Sequence, residues 1–146
     1  MTIKKIFFDA NIFNDIFDEK RTSHVASKQS LVHALQNNLF VCTSCDIVTN
    51  IYYITAKHTT KEKALDALES VKDAVNIIPF GESELTSAIK LMRNDSDYKD
   101  MEDTIQYILA LQQDCDLIIT NDKKFIAKKI NCMNAEAFVS KFINNT

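Results

Sequence analysis

Short apolar runs alternate with stretches of helical periodicity along the chain. Each run predicts a strand, because a brief continuous apolar stretch between turn signals is typical of a strand buried on both faces. The first strand covers Ile3–Phe8 and ends at a polar Asp9-Ala10-Asn11 turn. The pattern places the other strands at Leu39–Thr43, Ala74–Phe80, Leu117–Thr120 and near Asn131–Met133.

The stretches between these runs predict helices, since their apolar residues recur three or four positions apart. A helix follows the Asp9 turn, and Ser23–Asn37 predicts an amphipathic helix with its apolar stripe at Val25, Leu31, Val32 and Leu35. Other helices are predicted after Ser44 or Asp46, over Thr60–Lys72 and Glu82–Arg93, around Ile105, from Asn121-Asp122, and from Ala135 to about Ile143. We expect Tyr52 and Tyr53, on the helix after Ser44, to pack in the core and a cleft.

Regular alternation of strands and helices predicts a three-layer α/β/α sandwich around a mostly parallel sheet. The only proline, Pro79, and the only glycine, Gly81, fall together in one turn and need not mark a domain boundary. With 146 residues, of which 46% are apolar and 25% charged, the chain has the size of one globular domain. We therefore expect a single domain over residues 1–146.

Composition narrows the cellular setting and the kinds of partner. No apolar run approaches the roughly 20 residues of a membrane helix, and the amino-terminal segment has no signal-peptide pattern. We therefore expect a cytoplasmic protein without a membrane partner. The net charge of −3 gives no broad basic footprint, so any nucleic-acid binding must be local. Lys123, Lys124, Lys128 and Lys129 would either meet phosphates or form a solvated helix face.

Four acidic residues stand where the predicted strands and helices meet. Asp9 and Asp122 each follow a strand, and Asp100 and Asp103 lie three apart at a helix start, so that they share a face from which Glu102 points away. Each alone is readily explained as a helix cap. Residues that follow parallel strands converge on one crevice, however, and converging carboxylates repel unless a cation such as Mg²⁺ or Mn²⁺ lies between them. The pattern therefore predicts a metal-dependent nuclease.

The segments that carry these acids resemble those of the PIN domain family. The resemblance lies in residues 7–21 (FFDANIFNDIFDEKR), in Ser44 with the later Asn50-Ile51-Tyr52-Tyr53, in residues 100–107 (DMEDTIQY) and in residues 118–125 (IITNDKKF). It covers essentially the whole chain. The chain is most similar to small bacterial PIN proteins that include the toxin nucleases of VapBC-type toxin-antitoxin pairs, especially a subgroup with an ED-x-x-Q-Y element.

The resemblance implies an endoribonuclease that hydrolyses RNA phosphodiester bonds. It implies that Asp9, Asp103 and Asp122 hold one or two Mg²⁺ or Mn²⁺ ions, while Asn11 and Thr120 support the site. It also implies an antitoxin protein that covers the acidic cleft, and a homodimer.

One position departs from the family pattern. Many PIN nucleases carry a glutamate on the helix after the second strand, where this chain has Asn50. Asparagine can bind a metal through its carbonyl oxygen but brings no charge. We expect Asp100 to supply the missing carboxylate as a further metal ligand, with Asp46 as a lesser candidate. The alternative is a PIN fold with weak or no turnover that serves as a scaffold for RNA or protein.

Cysteine spacing offers a different chemistry. Cys42 and Cys45 form a CxxC between a predicted strand and a predicted helix, where a helix amino terminus can stabilise a thiolate. The helper residues of thiol redox chemistry are not evident, and Cys115 and Cys132 do not form a second CxxC. Reduced, partly buried thiols remain the simpler interpretation.

Overall fold

Five strands form one parallel sheet in the computed structural model, which describes residues 2–145. The strands are β1 Lys5–Phe8, β2 Phe40–Ser44, β3 Asn76–Ile78, β4 Leu117–Ile119 and β5 Asn131–Met133. Their order is β3-β2-β1-β4-β5, and every pairing is parallel. All five predicted strands are present, although β3 is shorter than the predicted Ala74–Phe80.

The helices cover both faces of this sheet. They are α1 Ala10–Ile16, α2 His24–Gln36, α3 Ile47–His58, α4 Lys61–Ala74, α5 Glu82–Asn94, α6 Met101–Gln112 and α7 Ala135–Phe138, and a π-helical turn over Val139–Ile143 follows α7. Adjacent residues of one strand point to opposite faces. Ile6 and Phe8 therefore pack with α1, α2 and α3, whereas Phe7 packs with α5 and α6. The predicted three-layer α/β/α architecture is confirmed.

Strand order creates one switch point in the sheet. The chain builds outward from β1 through β2 to β3, then returns to place β4 against the free edge of β1. Connections therefore leave β1 and β4 toward opposite sides of the sheet, and a crevice opens beyond their carboxyl ends. Asp9 directly follows β1, and Asp122 lies shortly after β4. The fold thus brings two segments more than a hundred residues apart to one edge.

The predicted helix at Asn121-Asp122 is wrong. Residues 121–130 form turns instead, because the Asp122 side chain accepts a hydrogen bond from the Lys124 amide at 2.9 Å and closes a local turn. Such side-chain bonds compete with the helical backbone pattern. Phe125 and Ile130 are buried and anchor this loop to the α5–α6 side of the sheet.

The predicted apolar stripe of α2 is only partly buried. Leu31 and Leu35 pack against the core, but Val25 is 62% exposed and Val32 40% exposed. The buried face of α2 is formed by Ser27, Ser30 and Ala34. The Ser27 and Ser30 hydroxyl groups both have hydrogen-bond partners, which is why polar residues can be buried there.

The two tyrosines of α3 differ in their burial. Tyr53 is 70% exposed, so its predicted packing in the core is wrong, while Tyr52 is half-buried and meets the Tyr53 ring edge-on.

Within residues 2–145, no helix has the length and apolar character needed to cross a lipid bilayer.

The turn between α6 and β4 gives a test of the backbone geometry. Asp114 has a φ of 55°, in the left-handed region that β-branched residues strongly disfavour. We expect Asp114→Val to lower the free energy of unfolding by about 1–2 kcal/mol, and Asp114→Gly to change it by less than about 0.5 kcal/mol. Urea unfolding of both variants measures the difference. Equal stability of the two variants would contradict the assigned turn.

Candidate active site

Asp9 lies at the carboxyl end of β1, and each of its carboxylate oxygens accepts at least one hydrogen bond. Oδ1 accepts the Ala10 amide at 2.7 Å, so Asp9 caps α1. Oδ2 accepts the Thr120 hydroxyl at 2.7 Å and the Asn11 amide at 3.0 Å. These three bonds fix the carboxylate in a buried position at the end of β1. Asp9 is therefore both a helix cap and an oriented side chain of the crevice.

Burial raises the pKa of Asp9 above its usual range. The hydrogen bonds from Thr120 and Ala10 oppose this effect because they favour the ionised form, whereas the negative charge of Asp122 adds to it. Asp9 is thus a carboxylate whose charge the protein only partly compensates.

Thr120 joins Asp9 to the segment that carries Asp122. Its hydroxyl group donates to Asp9 and accepts the backbone amide of Asp122 at 3.1 Å. Because Thr120 is buried at the end of β4, this contact fixes the relative positions of the two acidic segments.

Asp100 and Asp103 approach from the start of α6. Asp100 caps the helix, since its Oδ1 accepts the Asp103 amide at 2.9 Å. Burial raises the pKa of Asp103 to about 7, and the charges of Asp9, Asp100, Asp122 and Glu102 contribute in that order. All four acidic residues singled out in the sequence therefore lie within electrostatic reach of one another.

Glu102, on the first turn of α6, is exposed, and its charge acts on the same cluster. Partial burial of its carboxyl group, followed by the charges of Asp46, Asp9 and Asp100, raises its pKa. Gln106 lies one helical turn later, is fully buried, and contacts Glu102 Oε1 through its Nε2 at 3.5 Å. The Gln106 side chain also lowers the pKa of Asp9. The four-residue spacing of Glu102 and Gln106 places them on one face of a helix, and this spacing was the signal in the sequence that could have predicted their contact.

Asn50 and Asp46 lie on the α3 side. Asn50 is exposed, and its Oδ1 accepts the Asn14 amide at 3.1 Å. Asp46 precedes α3, and its charge acts on Glu102. Among the described residues, three buried side-chain oxygens have no hydrogen-bond partner: Asn14 Oδ1, Asp46 Oδ1 and Gln106 Oε1. These oxygens, which lie on α1, before α3 and on α6, are acceptors that a cation or a water molecule would satisfy.

The donor chemistry of the cluster fits Mg²⁺ or Mn²⁺. Its side chains offer only oxygen atoms, which these hard cations prefer. No lysine or arginine within residues 2–145 forms an ion pair with any of the clustered carboxylates. In the same part of the chain, however, no three acidic, histidine or cysteine side chains are arranged to hold a metal ion as they stand. A bound cation would therefore have to draw the carboxylates together.

A hollow of about 570 Å³ opens beside Asp103 and Asp122. We call it the first hollow, and its lining residues are Asp97, Tyr98, Lys99, Asp100, Asp103, Thr104, Asp122, Lys124 and Ile126. Of the four lysines that follow Asp122 in the sequence, only Lys124 lines the first hollow. Lys99 also lines it, although the sequence did not single it out as a site residue. Lys128 instead pairs with Asp95 at 2.7 Å and Asp97 at 2.8 Å.

The cysteines do not favour thiol redox chemistry. Cys42 contacts Cys115, with 3.6 Å between their sulfur atoms, and all four cysteines are free thiols. The hydrogen bond with Cys115 and burial hold the pKa of Cys42 far above its usual range. A reactive cysteine needs the thiolate form, which this environment disfavours.

Comparison with known proteins places the chain in a family. The PIN domain family model matches residues 6–131. The chain is 41% identical to Ribonuclease VapC1 of Aquifex aeolicus over 142 residues, which are 97% of this chain and 98% of the relative.

Solved structures share the fold. The chain superposes with a TM-score of 0.70 on VapC20 of Mycobacterium tuberculosis, described as a Sarcin-Ricin loop cleaving toxin, at 14% identity over 86% of this chain and 95% of that one. A toxin-antitoxin complex from Klebsiella pneumoniae superposes with a TM-score of 0.66, at 20% identity over 89% of this chain and 97% of that one.

The raised pKa of Asp103 predicts a pH-dependent gain in stability when its charge is removed. Between its ordinary value of 3.8 and its folded value of about 7, the folded protein holds a proton that the unfolded chain releases. Stability from this group is therefore present at low pH and is lost as pH rises through 7. In chelator at pH 8, we expect Asp103→Asn to be more stable than the parent protein by about 1–2 kcal/mol, a value reduced for solvent screening of a half-exposed side chain.

Urea unfolding at pH 4 and at pH 8 measures this effect. The difference between variant and parent should shrink at pH 4, where Asp103 is protonated in the folded protein and its repelling charge is absent. Asp73→Asn, at an exposed position of α4, is the control and should show no such pH dependence. A variant that is less stable than the parent at pH 8 would refute the proposed charge repulsion.

Proposed function

The chain belongs to the PIN domain family, and from that premise we propose that it is a Mg²⁺- or Mn²⁺-dependent endoribonuclease, the toxin of a toxin-antitoxin pair. The observation that carries the proposal is the group of acidic side chains around Asp9 that raise one another's pKa without a basic partner. Such an arrangement is costly for a folded protein unless it serves to bind a cation. The name of the Aquifex aeolicus relative, a ribonuclease, supports RNA as the substrate.

Asp9, Asp103 and Asp122 are the residues we assign to the cation, with Asp100 and Glu102 adding negative charge beside them. When bound, a divalent cation supplies activation of water and neutralisation of the charge that develops on the phosphoryl oxygens. Thr120 and Asn11 orient Asp9 through its Oδ2, so that the central ligand does not rotate. Asp100 is less free to bind the cation than its sequence position suggests, because one of its carboxylate oxygens already caps α6.

Protonation of Asp103 links cation binding to pH. At pH 7 about half of the cation-free molecules carry a proton on Asp103, since its pKa is about 7. Cation binding requires that carboxylate to be ionised and therefore releases the proton. Binding should weaken as pH falls below 7, where protonated Asp103 competes with the cation.

The first hollow suits a polyanionic substrate. Lys99 and Lys124 line it together with Asp103 and Asp122, and neither lysine forms an ion pair within residues 2–145. Their ammonium groups remain available for phosphates beside the acidic centre. Local charge of this kind can bind RNA although the whole chain has a net charge of −3.

We propose an antitoxin as the protein partner, and a homodimer as the state of the enzyme. Support comes from the similar fold in complexes described as VapBC2 from Rickettsia felis, with a TM-score of 0.70, and as the Klebsiella pneumoniae toxin-antitoxin complex. An antitoxin segment that enters the first hollow would prevent RNA from reaching the carboxylates.

Asn50 favours a second candidate, a PIN fold that binds RNA or protein without efficient turnover. Its amide is engaged with Asn14, and it adds no charge to the cluster. Glu102 weakens this alternative, because it adds negative charge within electrostatic reach of Asp9 from another element. The two candidates differ in whether bound cation leads to RNA cleavage.

The deciding experiment is cleavage of total RNA by the purified protein in Mg²⁺, in Mn²⁺ or in chelator. We expect cleavage only with the cation, and a loss of at least about 100-fold in Asp9→Asn, since even outer ligands of metal sites often matter by 10- to 100-fold. Asp73→Asn controls for a general effect of removing an acidic residue. Cleavage that persists in Asp9→Asn or in chelator would reject the proposed site, and cation binding without cleavage of any RNA would favour the scaffold.

A further inference from the structure

A second hollow of about 450 Å³ adjoins the acidic centre. Its lining residues are Asn11, Asp15, Lys20, Arg21, Thr22, Ser23 and Asn121. It shares no lining residue with the first hollow. Asn121 borders the second hollow and the next residue, Asp122, borders the first, so the segment after β4 divides the two.

Asn11 lines this hollow and also contacts Asp9. Asn11 donates from Nδ2 to Asp9 Oδ2 at 3.0 Å, and its Oδ1 accepts the backbone amide of Asn121 at 3.0 Å. A ligand that reaches the acidic centre can therefore extend past Asn11 into the second hollow. Because Asn11 is held at both ends of its amide, this wall of the hollow is fixed.

The inner surface is a built polar network. Asp15 is buried, and its Oδ2 accepts Asn121 Nδ2 at 2.6 Å and the Ser27 hydroxyl at 3.2 Å. Asn121 Oδ1 in turn accepts the Ala135 amide at 3.0 Å. Arg21 lies against Asp15 at 3.4 Å and Asp18 at 3.5 Å. The negative charge of Asp15 is thus balanced from within.

The rim offers groups that suit a phosphate. Lys20 forms no ion pair among residues 2–145, and its backbone amide bonds to Asp18 while the ammonium group stays outside that contact. Ser23 precedes α2 but its side chain makes no capping hydrogen bond. An ammonium group beside hydroxyl groups is the usual set of donors for a nucleic-acid backbone.

We propose that one RNA strand occupies both hollows and crosses the acidic centre between them. Phosphates on one side of the scissile bond bind Lys99 and Lys124, and phosphates on the other side bind Lys20, with Arg21 and the Ser23 hydroxyl beside it. The inference rests on the proposed ribonuclease function and adds the path of the substrate. It assigns a second phosphate-binding subsite to a surface far from Lys99 in the sequence.

Salt dependence of RNA binding tests the subsite. Asp103→Asn serves as the background in which RNA is bound but not cleaved, and fluorescence anisotropy gives Kd for a labelled oligoribonucleotide over a range of KCl concentrations. We expect Lys20→Ala to reduce the slope of log Kd against log[KCl] by about 0.7, the value for one phosphate of a single strand that the protein no longer neutralises. Lys124→Ala should give a similar reduction. Lys90→Ala, at an exposed position of α5 outside both hollows, should leave the slope unchanged.

Trimming the RNA separates the two flanks. The oligonucleotide is shortened on one side of its cleavage site at a time. Removing nucleotides from one side should abolish the effect of Lys20→Ala and retain that of Lys124→Ala, and trimming the other side should do the reverse. Sensitivity of both lysines to the same trimming, or an unchanged slope in Lys20→Ala on the full-length RNA, would overturn the proposed path.

Two further variants guard against indirect effects. Lys20→Glu should weaken RNA binding more than Lys20→Ala, whereas Arg21→Lys preserves charge and should retain most of the affinity. Far-ultraviolet circular dichroism checks that each variant is folded. A parent protein that cleaves RNA while Lys20 has no influence on binding would refute this subsite alone, whereas a parent that cleaves no RNA would count against the ribonuclease function.

Discussion

Repulsion among carboxylates at one end of the sheet is the constraint on which the rest of the structure depends. The strand order places the ends of β1 and β4 side by side, and Asp9 and Asp122 follow them. The start of α6 adds Asp103 and Glu102 to the same place. A fold selected for stability alone would place a lysine or arginine among these charges. Its absence within residues 2–145 leaves an unfavourable energy that a cation can relieve.

Hydrogen bonds from uncharged donors hold these mutually repelling carboxylates in position. The Thr120 hydroxyl connects Asp9 with the Asp122 backbone, and Asn11 connects Asp9 with Asn121. Because these donors carry no formal charge, they orient the carboxylates without cancelling their attraction for a cation. A similar network around Asp15 anchors the neighbouring segment, but there Arg21 balances the charge. Asp9 and Asp15 are both buried, but they differ in whether a cationic side chain balances their charge. Asp9 has no such partner and is available for chemistry, whereas Asp15 has Arg21 and serves the structure.

Much of the fold follows from apolar patterning, because strands buried on both faces leave a clear signal. The strands at Ile6, Val41 and Leu117 are of this kind. Apolar patterning gave a wrong prediction where hydrogen bonds of polar side chains, rather than apolar periodicity, determine the backbone conformation or the buried face of a helix. Asp122 closes a local turn in place of a predicted helix, and Ser27 and Ser30 are buried in α2 because partners from distant segments satisfy them. A single sequence does not reveal such partners, since they depend on the finished tertiary structure.

The acidic cluster was visible in sequence as positions after strands, but its membership depended on side-chain length. Glu102 is adjacent to Asp103, and a count of helical angles directs it away from the site. Its longer side chain nevertheless reaches the charges of Asp46 and Asp9 and meets buried Gln106 at the next turn. The start of α6 therefore contributes the charges of both Asp103 and Glu102 to one group of acidic residues. Asn50 on α3 adds no charge, so the acidic character of this edge of the sheet depends on the segments after β1 and β4 and on the start of α6.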